Sequence, residues 1–119
     1  MKKISHIVIE GNPIPKQSFR YSKVRHHQPQ RLTDWQEAVG WAGSLNSPLT
    51  PLDGEFSVII SFWRGDKRRV DLDNLSKAVL DALEGIYWKD DKQVTSLYLV
   101  KRYDKIRPRA EIRVWHNPK

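Results

Sequence analysis

From Ile4 to Glu10 the chain reads ISHIVIE, with β-branched residues in alternation, and a two-residue period predicts a strand. Gly11-Asn12-Pro13-Ile14-Pro15 ends it. No clean period follows until Thr33, so the segment to Arg31 reads as a long loop. From Thr33 to Leu45, Trp35, Val39, Ala42 and Leu45 fall on one helical stripe with Ala38 beside them, and Thr33 or Asp34 is placed to cap the start. Two prolines, Pro48 and Pro51, separate this helix from Glu55–Trp63 (EFSVIISFW), whose apolar density predicts a central strand. After the charged turn Arg64–Arg69, Leu75, Val79, Ala82 and Ile86 define a second amphipathic helix, with Asp73, Lys77, Asp81 and Glu84 opposite and Gly85 as its stop. Gln93–Lys101 reads as a third strand. Arg109–Trp115 is a fourth, with Ala110, Ile112 and Val114 alternating against charged neighbours. The order β-α-β-α-β-β predicts an α/β or α+β layer, helices packed on a small mixed sheet, in one domain over residues 1–119.

Composition narrows the partners. Lys and Arg number 21 against 14 Asp and Glu, and a net charge of +7 favours a polyanion, nucleic acid above all. The chain has no cysteine, so any metal must sit on oxygen or imidazole. No run approaches a membrane span, and the start lacks the apolar run of a signal peptide, so the expectation is a cytoplasmic, nucleoid-associated protein with no membrane contact. Charge is segregated along the chain. Lys16, Arg20, Lys23, Arg25 and Arg31 lie between Gly11 and Thr33 without one acid, whereas seven of the fourteen acids fall between Asp66 and Asp91.

That clustering of carboxylates within a basic chain demands a reason. Asp71 and Asp73, two residues apart, point to the same side only if the segment is extended, so Val70–Leu72 is expected to be extended, with Asp73 as N-cap or first-turn residue of the helix. Asp90 and Asp91 follow the same helix after a tight return. They approach the first pair only if the third strand lies beside the second. Several carboxylates within a few ångströms raise a pKa or recruit a cation, and a hard divalent ion such as Mg²⁺, with Mn²⁺ as substitute, takes oxygen donors and serves phosphodiester hydrolysis. Lys77, one turn after Asp73, is placed to orient a carboxylate or stabilise developing phosphorane charge. Each aspartate alone also has an ordinary reading, as a cap or as turn chemistry, and Lys77 with Asp81 reads as an exposed i,i+4 pair. The combination is what points to metal. An EF-hand loop counted from Asp71 fails, because Ser76 stands at the glycine position and Ala82 at the final ligand position. The four histidines show no ligand spacing, and the tryptophans read as core or interface material.

The string Arg68-Arg69-Val70-Asp71-Leu72-Asp73-Asn74-Leu75-Ser76-Lys77-Ala78, continued by Asp81-Ala82-Leu83 and Trp88-Lys89-Asp90-Asp91-Lys92-Gln93-Val94, strongly resembles the RusA family of Holliday junction resolvases. A looser likeness covers Gly11–Arg20, similar to the Gly-x-Pro-x-Pro-Lys-x-x-x-Arg opening of phage and prophage members. The resemblance implies a homodimeric, Mg²⁺-dependent endonuclease that makes paired symmetric nicks in four-way DNA junctions during recombination and repair. By position it makes Asp71, Asp73 and Asp91 the essential acids, Lys77 the assisting lysine, and Asp90 a neighbour that shares in the metal site. The connection Glu84-Gly85-Ile86-Tyr87 is a residue shorter than in some members, which bears on the choice between Asp90 and Asp91. Lys16, Arg20, Lys23, Arg25, Lys67, Arg68 and Arg69 are the expected contacts to the DNA backbone. The competing class is a non-catalytic nucleic-acid-binding module, which has no use for carboxylates facing phosphates.

Overall fold

Alternation dictates the sheet. In the computed structural model, which describes residues 1–16 and 28–118, strand β1 spans Lys2–Glu10 and helix α1 Gln30–Ser44. Strand β2 (Glu55–Arg64), helix α2 (Leu72–Leu83), strand β3 (Val94–Tyr103) and strand β4 (Arg109–Asn117) follow, and one short 3₁₀ turn, Asp91–Gln93, precedes β3. The four strands form one mixed sheet in the order β1-β4-β2-β3. β4 runs antiparallel to both β1 and β2, and β3 runs parallel to β2, with Val58 opposite Leu97 and Phe62 opposite Lys101. The expected element order holds, and β2 occupies the interior position its apolar density predicted.

One face of the sheet is the core. Ile7 and Ile9 of β1, Phe56, Val58, Ile60 and Phe62 of β2, and Ala110, Ile112 and Val114 of β4 are buried against Leu32, Trp35 and Val39 of α1 and Leu75, Ala78, Val79 and Leu83 of α2. Odd and even positions point to opposite faces of a strand, so Ser57, Ile59, Ser61, Trp63, Arg109, Glu111, Arg113 and Trp115 form the uncovered face. β3 is an edge strand and mostly exposed, with Tyr98 63% accessible.

The two helices differ from expectation in detail. α1 starts at Gln30 behind Pro29, a turn before Thr33, and has no side-chain cap, while Leu45, expected on the buried stripe, is exposed. Its buried stripe instead runs Leu32, Trp35, Val39, Gly43. Gly43 sits where α1 meets the chain after α2: a Cβ there would lie 2.9 Å from Leu83 Cδ2, and its carbonyl accepts a 2.7 Å hydrogen bond from Tyr87 Oη. α2 ends at Leu83, short of Ile86, which was expected on its stripe, and the expected stop Gly85 follows at φ +89°, a conformation open to glycine. Tyr87 and Trp88, fully buried, then anchor the return toward β3, with Trp88 edge-on to Phe56 at 5.2 Å.

The β2–α2–β3 unit fixes the site's geometry. Parallel neighbouring strands require the connecting helix to carry the chain back from the end of one to the beginning of the next. The β2-to-α2 junction and the α2-to-β3 junction therefore stand at opposite ends of the sheet.

Candidate active site

The first junction presents two acids. Asp71 is the N-cap of α2 in extended conformation (φ −69°, ψ 128°), as expected, but the extension expected through Leu72 stops there, because Leu72 is already the first helical residue, and the Asp71 side chain makes no capping hydrogen bond. An aspartate serving only as a cap would accept from the N–H of the second or third helical residue. Asp73 lies in the first turn, highly exposed, with Lys77 Nζ 3.2 Å from its Oδ2. Behind them, Ser76 Oγ donates to the Asp73 carbonyl at 2.7 Å, and Leu75, Ala78 and Val79 fasten the turn to the core. The expected pairing of Lys77 with Asp81 does not form: Lys77 pairs with Asp73, and Asp81 with Lys16, which crosses from the segment after β1. Lys16 is also held by its backbone, whose N–H donates to the Asn74 carbonyl at 2.9 Å.

The second junction divides its two acids between different tasks. Asp90 caps the 3₁₀ turn: its Oδ1 accepts from Lys92 N at 2.8 Å, while Gln93 Oε1 accepts from Asp90 N at 3.1 Å, closing a reciprocal capping box. Gln93 Nε2 donates to the carbonyls of Leu52 and Gly54, tying the turn to the segment before β2. Asp91 points elsewhere. Its Oδ1 accepts a 2.7 Å bond from Trp88 Nε1, and its carboxylate groups with those of Asp81 and Glu84, one ligand oxygen from each lying within 4.8 Å of the others. Burial raises the Asp91 carboxyl above the ordinary aspartate value; the Trp88 bond opposes this, and the charges of Glu84, Asp81 and Asp90 add to it.

Within one chain, then, the four predicted acids do not converge. Asp71 and Asp73 sit at the start of α2; Asp91 sits at its end, beside Asp81 and Glu84. Eight residues separate Asp73 from Asp81, about 12 Å along a helix axis. The condition set by the sequence is met, because β3 does lie beside β2, but the strands are parallel and that orientation separates the junctions. Asp81 and Glu84 were missed as partners. Their i,i+3 spacing on the polar side of α2 was the available signal.

Basic residues surround the first junction. Lys67, Arg68 and Arg69 are exposed, and with Arg64, Asp66, Lys101, Arg102 and Tyr103 they line an open hollow of about 320 Å³. Lys67 Nζ lies 5.2 Å from the Tyr103 ring centroid, and Lys101 Nζ donates to the Val70 carbonyl at 2.6 Å, directly before Asp71. Lys101 and Arg102 belong to this surface because the parallel register sets them opposite Phe62 and Trp63, at the strand end from which the basic loop departs. Lys16 is described; the expected contacts Arg20, Lys23 and Arg25 lie outside the described residues. His116 Nε2 stands 2.7 Å from the Asp53 carbonyl, and its ring lies 4.8 Å from that of Phe56, tilted by 37°.

The carboxylates of the first junction, beside a hollow lined mostly by arginines and lysines, form a surface suited to a polyanion together with a hard cation. The model of the family Endodeoxyribonuclease RusA matches residues 10–115, and the chain belongs to that family. Crossover junction endodeoxyribonuclease RusA of Aquifex aeolicus (strain VF5) is 30% identical over 98 residues, covering 78% of this chain and 76% of that protein. YqaN of Bacillus subtilis (strain 168), an uncharacterized protein, is 27% identical over 131 residues, covering 89% and 92%. Nucleases of this family are metal-dependent. Among the described residues no helix is long and apolar enough to cross a membrane.

Proposed function

We propose that the chain is a Mg²⁺-dependent endonuclease that resolves four-way DNA junctions by paired symmetric nicks, acting as a homodimer in recombination and repair at the nucleoid. The observation that carries this reading is the Asp71 carboxylate, at a helix start yet not used as a cap, one residue beyond a basic loop. A pure binding module gains nothing from that placement, since an uncommitted carboxylate weakens contact with phosphates.

The donor set fits a hard divalent ion: only carboxylate oxygens are offered, at Asp71 and Asp73 on one side and at Asp91 with Asp81 and Glu84 on the other. When bound, Mg²⁺, or Mn²⁺ in its place, supplies Lewis acidity toward phosphorus and an activated water. In this reading Asp71, Asp73 and Asp91 are the metal ligands, while Asp90 contributes by fixing the turn that aims Asp91. Lys77 holds Asp73 in place and offers positive charge to the phosphoryl oxygens as charge builds on them. Lys16, Lys67, Arg68 and Arg69 hold the DNA backbone, with Arg20, Lys23 and Arg25 in the same role.

The opposite placement of the two junctions supports the homodimer. A twofold arrangement that sets the start of α2 in one protomer beside the end of α2 in its partner assembles Asp71, Asp73 and Asp91 twice. Two equivalent sites match the two equivalent phosphates of a junction. Incubating synthetic junction and linear duplex with Mg²⁺ or with EDTA, then running denaturing gels, tests the proposal. Metal-dependent nicks at symmetric positions of the junction alone are expected. Tight junction binding with no cleavage under any metal would leave the non-catalytic module as the correct reading.

A further inference from the structure

A second hollow, of about 250 Å³, lies on the other side of the basic loop, and its polar lining is Asn12, Arg31, Arg64, Asp66, Arg68 and Arg69. It joins three parts of the chain: the segment after β1, the first turn of α1 and the loop after β2. Arg64 is its organising residue. This arginine is 7% exposed at the end of β2, where alternation points it to the helix-covered face with Phe62 and Ile60. Its Nη1 donates to the Pro13 carbonyl and its Nη2 to Asp66 Oδ1 at 3.1 Å, but its Nε has no partner among the described residues. That Nε is sealed from solvent, so what Arg64 brings to the hollow is a guanidinium charge fixed in place by its two Nη hydrogen bonds.

Asp66 does not spoil the hollow for an anion. Its Oδ1 accepts from Arg64 and from Arg68 N, and its Oδ2 is 3.5 Å from Asn12 Nδ2, so its charge is tied to donors of the protein itself. Four arginines, Arg31, Arg64, Arg68 and Arg69, then line the hollow together with one hydrogen-bonded carboxylate. Planar forks of this kind match the oxygens of a phosphate, and a volume several times the ~30 Å³ share of one water admits a phosphodiester group with its nearest waters.

We propose that this hollow is a subsite for a single DNA backbone phosphate, the neighbour of the one being cut. The inference rests on the nuclease reading for its location relative to the cut, but not for its chemistry. Val70 lines the hollow and Asp71 follows at once, about 3.8 Å from Cα to Cα, so a strand anchored here delivers its next phosphate to the acids. The subsite sets the register of the scissile bond. An internal diester is the ligand, and a terminal monophosphate shares its chemistry.

The test uses the full chain in EDTA, so that binding is read without cleavage. Junctions carrying one neutral methylphosphonate at each position near the crossover are compared by fluorescence anisotropy. One position is expected to weaken wild-type binding about tenfold, and Arg31→Ala, on the exposed face of α1, is expected to bind modified and unmodified junctions equally at that position alone, with a salt slope shallower by about one. Arg31→Ala that remains as sensitive as wild type at every position overturns the subsite, even if nicking proceeds. Coupling at one position without any Mg²⁺-dependent nicking upholds the subsite while removing the nuclease reading. Inorganic phosphate, titrated against chloride of equal ionic strength, should move the Arg68 amide resonance of the wild type and not of Arg31→Ala; no movement in either overturns the proposal. A gain in affinity from a 5′-phosphorylated strand end over its unphosphorylated form, without sensitivity at any internal position, overturns the assignment to an internal diester.

Discussion

Trp88 Nε1 donates a 2.7 Å hydrogen bond to Asp91 Oδ1, so a fully buried indole in the core aims an acid at the surface. The ring is held edge-on by Phe56, and the bond fixes a carboxylate that groups with those of Asp81 and Glu84. This explains why a tryptophan and the second of two aspartates occur three residues apart. The first aspartate caps the turn, and the glutamine closes it.

Trp88→Phe keeps most of the packing and removes the donor. The folded chain should persist, with a melting temperature lowered by several degrees, while the Mg²⁺ concentration needed for half-maximal nicking rises about tenfold, the usual scale for losing a residue that orients a metal ligand. A Mg²⁺ titration of junction cleavage measures it. An unchanged midpoint would show that Asp91 needs no such aiming.

The separation of Asp71 from Asp91 along α2 makes an unusual complementation possible. Asp71→Asn and Asp91→Asn should each bind junction and fail to nick it, losing on the order of a thousandfold in rate with several kcal/mol of transition-state stabilisation. Mixed and allowed to exchange subunits, the two inactive variants should regain single-strand nicking. A mixed dimer whose sites are built across the interface has one site with both substitutions and one with neither. Sites built within a chain give no recovery in the mixture. Gel detection of nicked junction decides between them.

The elements were legible because their patterns are local. Alternation marked β1 and β4, apolar density marked β2, and Leu75 and Val79 marked α2 together with its glycine stop, whereas Ala82 and Ile86, expected on the same stripe, are only partly buried and Leu83 takes their place in the core. α1 was misplaced by a turn because its start behind Pro29 carries none of the capping chemistry that marks most helix beginnings. The acids themselves were legible as a cluster in sequence, and the extended Asp71 was anticipated. What the sequence did not disclose was direction. Knowing that β3 neighbours β2 is not enough, because only a parallel pairing sends the two junctions to opposite ends, and strand direction follows from the helix between them. The same parallel register carries Lys101 and Arg102 to the basic loop, contacts that no local pattern announces.

Asp81, Glu84 and Asp91 repel one another in the absence of a cation. Asp91→Asn keeps the acceptor for Trp88 and removes one charge, so without divalent metal it should melt about 1–2 °C above wild type, a few tenths of a kcal/mol being typical of surface charge pairs. Added Mg²⁺ should raise the wild-type melting temperature and leave that of the variant unchanged, because only a ligand bound by the native state stabilises it. Differential scanning calorimetry with and without EDTA checks both statements. A variant less stable than wild type in EDTA would show that the three carboxylates do not strain the free protein.

Acid pH should attack the opposite face of the sheet. Arg109 lies over the Trp63 ring, 3.9 Å from its centroid, and its guanidinium bonds Glu111 Oε2 and Asp104 Oδ2 at 3.0 and 3.1 Å. The Arg109 bond holds the Glu111 carboxyl below its ordinary value of 4.5, and the Arg107 N–H, with Ile106 and Arg109 assisting, holds that of Asp104 below 3.8. Both acids bind protons more weakly folded than unfolded. Their contribution is therefore complete above the unfolded values and is lost as pH falls through the folded ones, so the urea midpoint should decline from about pH 4.5 downward. Arg109→Met keeps a flexible stem over Trp63 but removes the leading cause of the Glu111 shift. Its acid decline should be shallower than that of wild type, with part retained because the backbone N–H of Arg107 still holds Asp104. Equal slopes in the two proteins would place the acid sensitivity elsewhere, in the Glu10–Arg107 pair or in Asp66.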